Sequence, residues 1–175
     1  YFHDFGNVSI NTHPYTIAPV TLDANLSNSS WSNNTNAWNN VVGATGNAIR
    51  LTNLASPTIT TITLTFDIAT NYQVAITSFN FWRQRSAAGV QNWDMTINGI
   101  NVGSGTVATT GASVGNTPVV NSVSGITGTV TVVISLSGAS GTGTFRLDDF
   151  TLNGSVTSAC TQPTISSFFP SLGPK

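Results

Sequence analysis

The segment TITTITLTFD at 58–67 alternates residue by residue, with Ile62, Leu64 and Phe66 on one side and threonines on the other. A period of two marks a half-buried β-strand, because successive side chains leave a strand on opposite faces. TVTVVISL at 129–136 repeats the pattern, and NWDMTING at 92–99 puts Trp93, Met95 and Ile97 on one face. Thr, Val, Ile and Phe are plentiful, whereas Glu is absent and Lys occurs once, at Lys175. β-Branched side chains lose χ1 freedom in a helix but fit a pleated sheet. No segment shows a helical period, so the chain is expected to be all-β.

Other strands follow from the same pattern. FHDF at 2–5, AIRL at 48–51, QVAITSFNFWRQR at 73–85 and TFRLDDFTLNG at 144–154 are candidates. Within the third, the apolar parity switches between Ile76 and Phe79, which predicts a β-bulge at Thr77–Ser78. Asn98–Gly99 is the sequence of a two-residue type I′ hairpin turn. The Asn-rich stretch from Gly6 to Asn47 is too long for a structureless loop, and is expected to hold short strands or an ordered binding loop around Trp31 and Trp38. Strands separated by Gly- and Ser-rich turns predict an antiparallel β-sandwich, a jelly roll in which the first and last strands are neighbours. After Gly154 the alternation stops and prolines enter, so the module is expected to occupy 1–158, with a linker over 159–175.

Charge narrows the function classes. Charged residues make up 6% of the chain and the formal net charge is −1. Nucleic acid demands a Lys/Arg footprint that displaces counterions, and an anionic membrane surface asks for the same. Neither partner is expected, nor is membrane insertion. Cys160 is the only cysteine, which excludes an internal disulfide and a cysteine-rich zinc site. Without Glu there is no Glu–Asp acid/base pair, and no serine sits in a nucleophile elbow; catalysis is not expected.

The order of landmarks ANLSNSSWSNNTNAW (24–38), GNAIRLTN (46–53), FNFWRQRSAAGVQNWDMTING (79–99) and FRLDDFTLNG (145–154) resembles galactose-binding-like jelly-roll modules in secreted and surface proteins of Bacteroidetes. The final Leu-Asp-Asp-Phe is similar to the ending of many carbohydrate-binding modules. The tail QPTISSFFPSLGPK looks like the opening of a TIG immunoglobulin-like domain. The resemblance implies an extracellular or cell-surface location, a polysaccharide or cell-surface glycan as ligand, and neighbouring domains in a longer chain. It also implies a structural Ca²⁺ near the first and last strands.

Two clusters of charge carry the candidate site residues. Asp4 with Asp148 or Asp149 offers carboxylate oxygens that, completed by backbone carbonyls, suit Ca²⁺. The bland alternative is that Asp149 pairs with Arg146, or caps backbone amides. Trp82, Gln84 and Arg85, beside Arg83, combine an indole that stacks on a pyranose with planar groups that hydrogen-bond hydroxyls. Trp31 and Trp38 either rim that site or plug one end of the sandwich. Trp93 is expected in the core, and Arg83 is expected either to bind or to pair with Asp94. The leading expectation is a non-catalytic carbohydrate-binding or adhesion module of a larger protein; the alternative is a structural spacer or filament-forming module with no small ligand.

Overall fold

In a computed structural model that describes residues 1–10 and 12–159, alternation becomes twelve strands and no helix. They are β1 (Phe2–His3), β2 (Leu26–Asn33), β3 (Asn39–Val42), β4 (Asn47–Leu54), β5 (Thr60–Ile68) and β6 (Tyr72–Arg85). Then come β7 (Asn92–Ile97), β8 (Ile100–Thr106), β9 (Ala112–Ser113), β10 (Thr117–Ile126), β11 (Thr129–Ser137) and β12 (Gly143–Ser158). The TIG-like tail and Cys160 lie outside the described residues.

Every pairing is antiparallel, and the strands form the two sheets of a jelly-roll sandwich. One sheet runs β10-β6-β12-β4-β3, with β1 on β12 and β9 on β6; the other runs β2-β5-β11-β7-β8. The first strand pairs the last, as expected, through Phe2 with Thr151 and His3 with Phe150. The long polar stretch before Asn47 supplies β2 and β3.

The core lies between the sheets and is filled by the inward half of each alternating strand. Ile62, Leu64 and Phe66 of β5, with Ile134 beside them on β11, fill the core from one sheet, and Phe79 and Phe81 of β6 fill it from the other, all buried. Edge-to-face contacts join Trp93 to Phe81, with ring centres 5.1 Å apart, and Trp31 to Phe150, 5.0 Å apart. Such pairs add to area burial because the positive ring edge meets the negative face.

Both predicted local features are present. Thr77 has no counterpart on β12, where Gly154 pairs Ile76 and Asn153 pairs Ser78; this extra residue switches the parity of β6. Asn98 and Gly99 have φ of 46° and 80°, the positive pair that a type I′ turn requires. Among the described residues, five of the seven non-glycine positions with positive φ are asparagines, at 28, 36, 53, 71 and 98. Asparagine tolerates the left-handed region better than other side chains. Part of the Asn-rich composition is therefore turn chemistry.

Candidate functional site

β6, β12, β4 and β3 lie side by side in one sheet, so one residue of each strand can meet in a row across its outer face. Gln84 pairs Arg146, Arg146 pairs Arg50, and Arg50 pairs Asn39, each directly opposite its neighbour. Phe145 and Leu147 flank Arg146, Ile49 and Leu51 flank Arg50, and all four apolar residues are buried in the core. Alternation therefore turns both guanidiniums outward. The row crosses three inter-strand spacings, about 14 Å. Thr144 and Thr52 continue the same face of β12 and β4, and each is half-buried.

The neighbouring row begins with Trp82, opposite Asp148. The Trp82 ring is half-buried, and Gly111 crosses so near it that a side chain there would collide with the indole. Asp148 shares the outward parity of Arg146 yet is fully buried, because the β3–β4 turn folds over it. Its Oδ2 accepts from the amides of Ala44 at 2.8 Å and Thr45 at 3.2 Å, and its Oδ1 from that of Asp149 at 2.8 Å. Burial nevertheless pushes the Asp148 carboxyl up to about 6, the amide bonds opposing part of that rise.

The two adjacent aspartates do not simply alternate. Asp149, with φ of 49°, is an extra residue in β12, so a bulge separates Asp148↔Trp82 from Thr151↔Asn80. The Asp149 carboxyl is raised first by desolvation and then by the charge of Asp4. Asp4 itself accepts from the Gly6 amide at 2.9 Å. Asp148 does not fit as a calcium ligand here, which leaves Asp4 with Asp149 as the pair that the expectation allows. Asp148 is enclosed by amides, and among the described residues no group of three or more acids, histidines or cysteines is gathered for a metal. The amide capping expected as an alternative for Asp149 is instead what its neighbour Asp148 does.

The other expected binders separate into two groups. Trp31 is fully buried and its indole donates to Tyr1 Oη at 2.9 Å; Trp38 is also buried, beside the His13 ring. Neither indole rims a loop, which corrects the expectation that they line a sugar site: both plug the sandwich, Trp31 because its strand is held in register against β5. Arg85 is turned to carbonyls, donating to Val107, Ser86 and Ala87. Arg83 likewise donates to Thr106 and Ala112, and makes no ion pair with Asp94. These two arginines hold the 107–112 loop against the end of β6, which corrects the reading of Arg85 as a ligand contact. Gln84 donates to Thr109 at 3.0 Å through Nε2, leaving its amide oxygen for other donors.

Arg50, Arg146 and Asn39 were not singled out from sequence as binders. The usable signal was the repeated apolar-Arg-apolar triplet, Ile49-Arg50-Leu51 and Phe145-Arg146-Leu147, which places each arginine outward on an inward-packed strand. Elsewhere, a crevice of about 330 Å³ opens at an edge between the sheets, lined by Tyr1, Leu26, Phe66, Ile76, Leu152 and Val156 among others. Its wall mixes apolar side chains with polar ones such as Thr21, Asn153 and Ser155, and offers one acid, Asp23.

No protein-family model matches the chain, and no curated protein matches it. Among solved structures it is similar to carbohydrate-binding module CBM36 in complex with calcium and xylotriose, at 18% identity and TM-score 0.43 over 64% of this chain and 85% of that one. It is also similar to CBM61 in complex with β-1,4-galactotriose, at 14% identity and TM-score 0.44 over 74% and 90%. A third is the family 11 module of a cellulosomal cellulase of Clostridium thermocellum, at 13% identity and TM-score 0.40 over 86% and 95%. No residue role passes from these proteins to this chain.

Proposed function

We propose that this chain is a non-catalytic carbohydrate-binding module, displayed outside the cell as part of a longer protein, and that its glycan lies across the outer face of the β6-β12-β4-β3 sheet. The observation that carries this reading is the row Gln84–Arg146–Arg50–Asn39 with Trp82 beside it. Planar amides and guanidiniums make directional hydrogen bonds to hydroxyls, and an indole supplies an apolar surface for the C–H face of a sugar ring. The row is a platform built on strands, which hold its spacing without a ligand-induced rearrangement.

A binding role suits the chemistry better than catalysis. Asp148 is enclosed by backbone amides and Asp149 is displaced by a bulge, so the two carboxylates do not flank a common point. A glycan array probed with the wild-type module and with Trp82→Ala tests the reading. Binding that Trp82→Ala weakens supports it, whereas an empty array favours a spacer without a small ligand.

A further inference from the structure

We propose that the platform is specific for an acidic glycan, with one carboxylate or sulfate-ester group of the sugar seated between the Arg146 and Arg50 guanidiniums; this rests on the glycan-binding reading above. Arg146 and Arg50 are directly opposite across β12 and β4. Side chains so placed have Cβ atoms about 5 Å apart, and like charges in that position destabilise a sheet. An anion would offset that repulsion, and among the described residues the protein does not pair one with them. Asp148 is the one acid placed on this face by the register, and both its oxygens are taken by amides, Oδ2 by two of the β3–β4 turn and Oδ1 by that of Asp149. Among the described residues no arginine is within salt-bridge distance of an aspartate.

The hydrogen bonds of the pair are equally incomplete. Arg50 Nε is buried and has no partner, so no protein acceptor holds that edge of the guanidinium, and its outward Nη groups are the ones a ligand oxygen would meet. Arg146 makes one bond, from Nη1 to the Val42 carbonyl at 3.3 Å, so most of its five N–H groups remain for a ligand. Guanidinium forks match the planar carboxylate and also hold the oxygens of a sulfate ester. Gln84 and Asn39 close the two ends of the row with neutral amides, which suit hydroxyls flanking a single charge. The chain has five Lys and Arg residues in all, and two of them form this pair. That is too few to follow a densely charged polyanion such as nucleic acid, and enough to read one anionic group per short stretch of sugar.

The test is isothermal titration of the module with polygalacturonate and its fully methyl-esterified form, and with a sulfated galactan and its desulfated form. The expected result is binding of one charged polymer at least tenfold tighter than its neutral counterpart, weakening as salt is raised. Which polymer wins identifies carboxylate or sulfate as the anion. Arg50→Gln and Arg146→Gln should each remove that preference by tenfold or more, with melting temperatures no lower than wild type because each relieves the like-charge contact. Equal binding of charged and neutral forms, or a preference that survives in both variants, overturns the acidic-glycan inference and leaves glycan binding standing. Binding of none of the four polymers by the folded wild-type module overturns the inference, and an empty glycan array would then remove the glycan-binding reading with it.

Discussion

Asp148 makes the stability of this module depend on pH in the opposite sense to most carboxylates. Its pKa is raised from 3.8 to about 6, chiefly by desolvation. For an acid shifted upward, the stabilising contribution is complete below the unfolded value and is lost as pH rises through the folded one. The shift of about 2.2 units (6 minus 3.8), at about 1.4 kcal/mol per unit, corresponds to roughly 3 kcal/mol lost between pH 4 and pH 7. For a chain of this size that is about 6–12 °C in melting temperature. Asp149 is raised as well and acts in the same direction. His3 acts against both. It is buried, its Nδ1 accepts from the Phe5 amide and its Nε2 faces the Ile17 carbonyl, and burial lowers its pKa below 6.5. Its stabilising contribution is lost as pH falls below the unfolded value. The quantity to measure is therefore the gap in melting temperature between wild type and Asp148→Asn, by scanning calorimetry from pH 4 to pH 8, since His3 is common to both proteins. The gap should move in favour of wild type on acidification by most of that 6–12 °C. A gap that does not vary with pH would refute a raised Asp148, and would mean that the three amide bonds fully offset its burial.

Three further outcomes follow from the same geometry. Trp31→Ala should destabilise the fold by about 3–5 kcal/mol in urea denaturation while leaving glycan affinity of the folded fraction unchanged, because the indole is core. Arg85→Ala, which removes the bonds to Val107, Ser86 and Ala87, should lower stability by about 1.5–3 kcal/mol and raise hydrogen exchange across 107–112, again without a change in affinity. Chelator should leave the melting temperature unchanged, since Asp148 is enclosed by amides. A calcium-dependent rise that Asp149→Asn abolishes would instead place a cation between Asp4 and Asp149.

The strand layer of this protein was legible because apolar alternation is a local signal. The parity switch in β6 and the Asn98–Gly99 turn were readable for the same reason: each is decided within a few residues. The site was less legible because it depends on register between distant strands. FNFWRQR concentrates Arg83 and Arg85 in sequence, but both fall on the parity of Phe79 and Phe81 and run out at the strand end into loop carbonyls. Arg50 and Arg146 are almost a hundred positions apart, and only the β4–β12 register brings them opposite each other. Trp31 looked like a loop residue because its neighbours are asparagines, two of which, Asn28 and Asn36, serve positive-φ positions, whereas it sits inside β2; Trp38 does lie between β2 and β3, but is buried.

Amide-resolved NMR titration with the polymer fragment that binds best tests the platform most directly. Shifts are expected at Asn39, Arg50, Gln84 and Arg146 and in the Trp82 indole, with the far sheet unchanged. Shifts confined to the crevice around Tyr1, Leu26 and Val156 would place the ligand elsewhere and contradict a glycan-binding face on β6, β12, β4 and β3.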